Sequence, residues 1–154
     1  MLVQLLVGSL VSAIAIMIHA LATVAAIGVA RVAGTRNASW PRLHLMSVMV
    51  ATVLVLMLAH TIEIVAWSLS YALVGAAPEG SDLLYFAFVN YTTLGYGDVT
   101  PVKAWQLLGP MAAMNGILMF GWSTAVLFEV LLKTIEYLDA IAAPGTLFSA
   151  EDRG

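Results

Sequence analysis

No cysteine occurs in the 154 residues. A disulfide framework, a thiolate nucleophile and a cysteine-based zinc site are therefore all excluded, and thiols say nothing of the redox compartment. Charge is almost as scarce: Asp, Glu, Lys and Arg make up 10% of the chain, against roughly 25% in a soluble domain. The bases are outnumbered, six Lys and Arg against nine Asp and Glu, for a formal net charge of −3. The cationic surplus that displaces counterions from a phosphate backbone is missing, which excludes nucleic acid as a partner. Nothing resembles a nucleophile with a base and an orienting acid, so no enzyme activity is assigned.

What is present is hydrophobic, 62% of all residues, and it is gathered into runs. A helix needs about 20 mostly apolar residues to cross a hydrocarbon core. Three stretches qualify: 2–30 has no charged side chain, the run from 43 stays uncharged until Glu63 and apolar to about 73, and 104–128 is uncharged throughout. These predict three transmembrane helices in one domain. No Lys or Arg precedes Arg31, so the first run lacks the basic start of a signal peptide and is expected to be retained. Arg31, Arg36 and Arg42 lie together without an acid, whereas the connection before the third run holds Lys103 as its only base. By the positive-inside rule the arginine loop is cytoplasmic, the N-terminus outside, and the tail with Lys133 and Arg153 cytoplasmic. Ser39 or Asn37 ahead of Pro41 predicts the start of the second helix, and Gly75 with Pro78 its end. The tail after Tyr137 is too short to fold as a ligand-binding domain.

Between the second and third runs, 80–101 is too short for two full crossings, although part of it is as apolar as a span. A re-entrant segment is expected, with Ser81 and Asp82 as N-cap and first-turn acid of a short helix. Thr93-Leu94-Gly95-Tyr96-Gly97-Asp98 follows. Irregular backbone at membrane depth survives only where it is buried in protein or lines a wet cavity. Carbonyls aimed at a common axis meet that demand by coordinating desolvated cations, and aiming them alike requires backbone of alternating handedness. Glycine reaches φ > 0 without steric cost, and Gly95 and Gly97 stand at alternate positions. The carbonyls of Thr93, Leu94, Gly95 and Tyr96, with the Thr93 hydroxyl, form an all-oxygen column suited to hard monovalent cations.

That hexapeptide resembles the selectivity-filter signature of potassium channels, and the resemblance extends over about 43–132. Pro101 and Trp105 follow Asp98 as in simple two-helix bacterial channels, and Gly116-Ile117-Leu118-Met119-Phe120-Gly121-Trp122-Ser123-Thr124-Ala125 is similar to their cavity-lining inner helix. The resemblance implies an all-α membrane protein of three transmembrane helices plus a re-entrant pore helix and filter loop, assembling as a homotetramer. It implies K⁺ at the carbonyls of Thr93, Leu94, Gly95 and Tyr96, with Gly97 completing the filter and no cofactor beyond the permeant ion. Thr92, Asp98, Tyr85 and Phe86 become filter supports, Ile117, Phe120, Thr124 and Phe128 pore-lining residues, and Gly116 or Gly121 a hinge. Leu94 stands where valine is commonest, Tyr85 and Phe86 where two tryptophans are usual, and Val89 where some members carry an acid. Asp98 is thereby left without an obvious polar partner.

The resulting division is an N-terminal transmembrane helix, 1–30; a cytoplasmic basic loop, 31–42; a pore domain, 43–138; and a short tail, 139–154. Within the pore domain lie the outer helix 43–74, pore helix 81–92, filter 93–98 and inner helix 105–137. The first helix has no arginine series and does not resemble a voltage sensor. The expected location is the plasma membrane, in the manner of a prokaryotic inner membrane, with lipid and K⁺ as partners. Ionisable residues at mid-span mark a functional hypothesis by default: His60 and Glu63 lie one helical turn apart, and His19 lies in the first span. They suit a structural pair or a metal or proton site, and a non-conducting scaffold that keeps the pore fold is a further alternative to conduction.

Overall fold

The computed structural model describes residues 1–34 and 40–142. Expectations that rest on Arg36, Asn37, Ser39, Arg153 and the tail beyond 142 lie outside the described residues. All described elements are helical, in the order α1 (Leu2–Gly34), α2 (Pro41–Val74), α3 (Leu83–Tyr91), a 3₁₀ turn (Lys103–Trp105) and α4 (Leu108–Ala142). Three of them, α1, α2 and α4, are long and apolar enough to cross a membrane. With α3 as the short fourth helix, the architecture is the expected one of three spans and a re-entrant segment.

The helix ends follow from local chemistry. Pro41 occupies the first turn of α2, where its missing donor costs nothing. At the other end Gly75 takes φ 64°, and the N–H of Ala76 donates to the Tyr71 carbonyl at 2.9 Å, closing the helix with a left-handed cap. Asp82 itself is the N-cap of α3: one of its carboxylate oxygens accepts from the N–H groups of Leu84 at 3.1 Å and Tyr85 at 3.0 Å. Ser81 lies outside that helix, so the capping role falls one residue later than Ser81, the carboxylate being the stronger acceptor. Arg31 and Arg42, expected in a loop, sit in the last turn of α1 and the first turn of α2.

α1 lies against α2 and α4, and α3 is wedged between α2 and α4. Two buried clusters hold the helices together. One is built from Val11, Ile64, Trp67, Tyr71, Phe86, Tyr91, Leu108 and Met119 with small neighbours, and the other from Ala26, Val48, Leu56, Val126 and Val130. α1 contributes to both, through Val11 and Ala26. Lipid is as apolar as leucine, so these contacts gain dispersion and close fit rather than relief from water. Hydrogen bonds supplement them: the Leu107 N–H, in the turn before α4, donates to Gln4 Oε1 of α1 at 3.0 Å, and Trp67 Nε1 of α2 donates to Asn115 Oδ1 of α4 at 3.2 Å.

Candidate functional site

α3 ends at Tyr91, and the chain turns through Thr92 into the glycine-bearing stretch. The turn is made by N–H groups reaching back to the last carbonyls of α3: Thr93 to Asn90 at 3.0 Å, Leu94 to Val89 at 3.0 Å and Gly95 to Val89 at 3.4 Å. Beyond it the backbone alternates in hand. Thr93, Gly95 and Gly97 have φ of 61°, 59° and 79°, while Leu94 and Tyr96 between them keep negative φ. The alternation thus starts one step earlier than the glycines announce. A β-branched residue at positive φ is strained by about 1–3 kcal/mol and persists only where its surroundings hold it. Among the described residues, no carbonyl of Thr93, Leu94, Gly95 or Tyr96 accepts a hydrogen bond, and all four residues are exposed on the single chain.

The Asp98 end of this stretch is tied down. The Tyr85 hydroxyl donates to Asp98 Oδ2 at 2.7 Å, so Asp98 has the polar partner that the sequence did not offer. The Asp98 carboxylate holds the Tyr85 phenol above its ordinary ionisation range. At its other end Thr92 Oγ1 donates to the Phe88 carbonyl at 2.7 Å. Phe86 is buried against Tyr71, ring centres 5.0 Å apart.

On α4, Ile117, Phe120, Thr124 and Phe128 are all exposed and share one face. Phe120 also spans two rings of the protein interior, His60 at 4.8 Å and Tyr91 at 5.7 Å. Gly116 lies directly against the Tyr91 carbonyl, with no room for a Cβ, whereas Gly121 faces open space. Glu129 pairs with Lys133 one turn on, at 3.1 Å on an exposed face.

Residues 57–133, half of the chain, match a family model described as ion channel. The chain belongs to that ion-channel family. No curated protein and no solved structure matches it. The matched segment of the channel runs from mid-α2 to late α4 and takes in the glycine-bearing stretch, the Tyr85–Asp98 tie and the α4 face; α1 lies outside it.

Behind α3 the channel carries a buried polar cluster drawn from four helices. Glu63 and His19 are fully buried, and His19 Nδ1 meets Glu63 Oε1 at 2.8 Å. The Tyr91 hydroxyl donates to Glu63 Oε2. His60 Nδ1 meets the Tyr91 oxygen at 3.1 Å and Glu63 Oε2 at 3.4 Å. Ser123 Oγ closes the circuit, 2.9 Å from His60 Nε2 and 3.3 Å from His19 Nε2. The turn spacing of His60 and Glu63 flagged two members. Tyr91 and Ser123 carried no signal in the sequence, because a single tyrosine or serine in an apolar run is ordinary there.

Proposed function

We propose that this ion channel is potassium-selective and works as a homotetramer, each chain contributing one strand of carbonyls to a central filter. The observation that carries the reading is the 93–97 backbone: alternating hand, four carbonyls without hydrogen-bond partners among the described residues, and exposure on the single chain. Unpaired peptide groups cannot face lipid, where each costs several kcal/mol. Three further copies around an axis cover them and supply the remaining oxygens of an ion's shell, which one strand cannot surround. Successive cages of carbonyls then replace the water of a dehydrated K⁺, the Thr93 hydroxyl forms the cage nearest the cavity, and the negative end of α3 stabilises an ion waiting there. Ile117, Phe120, Thr124 and Phe128 line the path below the filter. In this reading 43–138 is the pore domain, and the arginine-rich connection and C-terminal tail lie in the cytoplasm.

Flux assays in liposomes test it. K⁺ and Rb⁺ should pass while Na⁺ and Li⁺ are largely excluded, with flux abolished by Gly95→Ala or Gly97→Ala. Comparable Na⁺ and K⁺ currents would reject selectivity. No flux from a correctly assembled tetramer would point to a non-conducting scaffold.

A further inference from the structure

The pore accounts for the filter face of α3 and leaves the cluster behind it unexplained. Within it, ligand atoms of His19, His60 and Glu63 lie within 4.8 Å of one another. The Tyr91 oxygen is hydrogen-bonded to both Glu63 and His60, so a fourth donor converges on the same point. The two histidines are oriented alike. Each turns Nδ1 toward Glu63 or Tyr91, and each turns Nε2 toward the one Ser123 oxygen. Metal-bound histidines characteristically donate their second N–H to an outer acceptor, which fixes the ring and its tautomer. Ser123 Oγ has two lone pairs and can accept from both.

Five side chains close a circuit of five links. A carboxylate in the membrane interior is expensive without a cation or a proton beside it. Two imidazoles and a carboxylate are zinc donors, and the Tyr91 oxygen supplies a fourth, N/O and without sulfur, once the ion displaces the hydrogen it shares with Glu63. All positions are supplied by protein, as in a structural rather than a catalytic site. Trp122 edges onto His19 at 5.4 Å, and Phe120 covers His60 and Tyr91. Among the donors His60 alone reaches the surface, at 14% exposure against 0% for His19, Glu63 and Tyr91.

We propose that His19, His60, Glu63 and Tyr91 bind one divalent zinc-class ion per chain, with Ser123 orienting both histidines, and that this ion pins α1 to the pore helix. The site is independent of whether the filter selects potassium.

The test uses the tag-free full chain in detergent. Purified without chelator from zinc-supplemented medium, it should carry about one zinc per chain by elemental analysis. After chelation, added Zn²⁺ should raise the melting temperature, and added Co²⁺ should produce visible bands of four-coordinate geometry that zinc displaces. His60→Gln and Glu63→Gln should lose the bands and the shift. Ser123→Ala keeps every donor, serves where those variants fail to fold, and should weaken zinc binding on the order of 10–100-fold. A parent protein with no zinc, no shift and no bands overturns the proposal and leaves a proton in the ion's place. Bands or affinity unchanged by these substitutions overturn it as well.

Discussion

Gly116→Ala and Gly121→Ala, five residues apart on α4, should change stability in opposite directions. A Cβ built on Gly116 overlaps the Tyr91 carbonyl oxygen and stands only 3.0 Å from the carbonyl carbon and 3.1 Å from Tyr91 Cδ1. Two of these atoms are backbone, in the last turn of α3, and the Tyr91 ring is anchored at Glu63. No flexible side chain can yield, so α4 must retreat as a whole. Overpacking costs about 1–3 kcal/mol and occasionally more, and backbone against backbone places this case near the upper figure, about 3 kcal/mol per chain. A Cβ on Gly121 meets nothing within 4 Å. There alanine gains about 1 kcal/mol of helix propensity. Thermal or denaturant unfolding in detergent, with open probability recorded in parallel, should show Gly116→Ala clearly weakened and Gly121→Ala equal to the parent or firmer. A Gly116→Ala protein as stable as the parent, altered only in its opening, would refute the packing argument and make Gly116 a hinge.

At the filter, Gly95→Ala and Gly97→Ala each place a Cβ on a left-handed residue at about 1–2 kcal/mol, and flux assays should show conduction lost while the helical content by circular dichroism is kept. Thr93→Val removes the hydroxyl but keeps the branched shape, so block from the cavity side by Ba²⁺ should weaken about tenfold or more; unchanged block would place that hydroxyl elsewhere. Asp98 raises the Tyr85 ionisation, so the tie contributes fully below the ordinary tyrosine value near 10 and is lost as pH climbs through the raised one. Filter stability against pH should therefore fall at alkaline pH in the parent, and Tyr85→Phe should flatten that fall. Trp67→Phe removes the bond to Asn115 and should lower unfolding stability by about 0.6 kcal/mol, the average for interhelical bonds in membranes.

The spans were legible because an uncharged run of that length matches the thickness of a hydrocarbon core and is seldom tolerated in a water-soluble fold. Gly95 and Gly97 were legible as left-handed because glycine advertises the conformation it permits. Thr93 was not: threonine carries no such signal, and its φ is imposed by the Leu94 and Gly95 N–H groups turning back to Val89. Asp98 looked unpartnered because a tyrosine hydroxyl reaches it only once α3 and the glycine-bearing stretch fold back on each other across thirteen positions. His19 was visible as an ionisable residue at depth, but its partner lies 44 positions away. Helices apolar all round have no stripe from which to read that register.

α1 was legible as a span, but what it packs against was not, and polar contacts contribute to that attachment. An apolar helix has no solvent-driven reason to leave lipid for α2 and α4. Its described polar links to the pore are Gln4 to Leu107 and His19 to Glu63 and Ser123. At about 0.6 kcal/mol for an average bond of this kind, three of them add roughly 2 kcal/mol to the packing of Val11 and Ala26. A metal ion held by His19 would change the scale, since structural zinc contributes about 10 kcal/mol or more in small zinc-dependent folds. Tyr91, which shares that cluster, is the last residue of α3, and its carbonyl rests on Gly116. Two positions later the chain enters the strained Thr93. The cluster and the glycine-bearing stretch are thus joined by two peptide groups and one close helix contact.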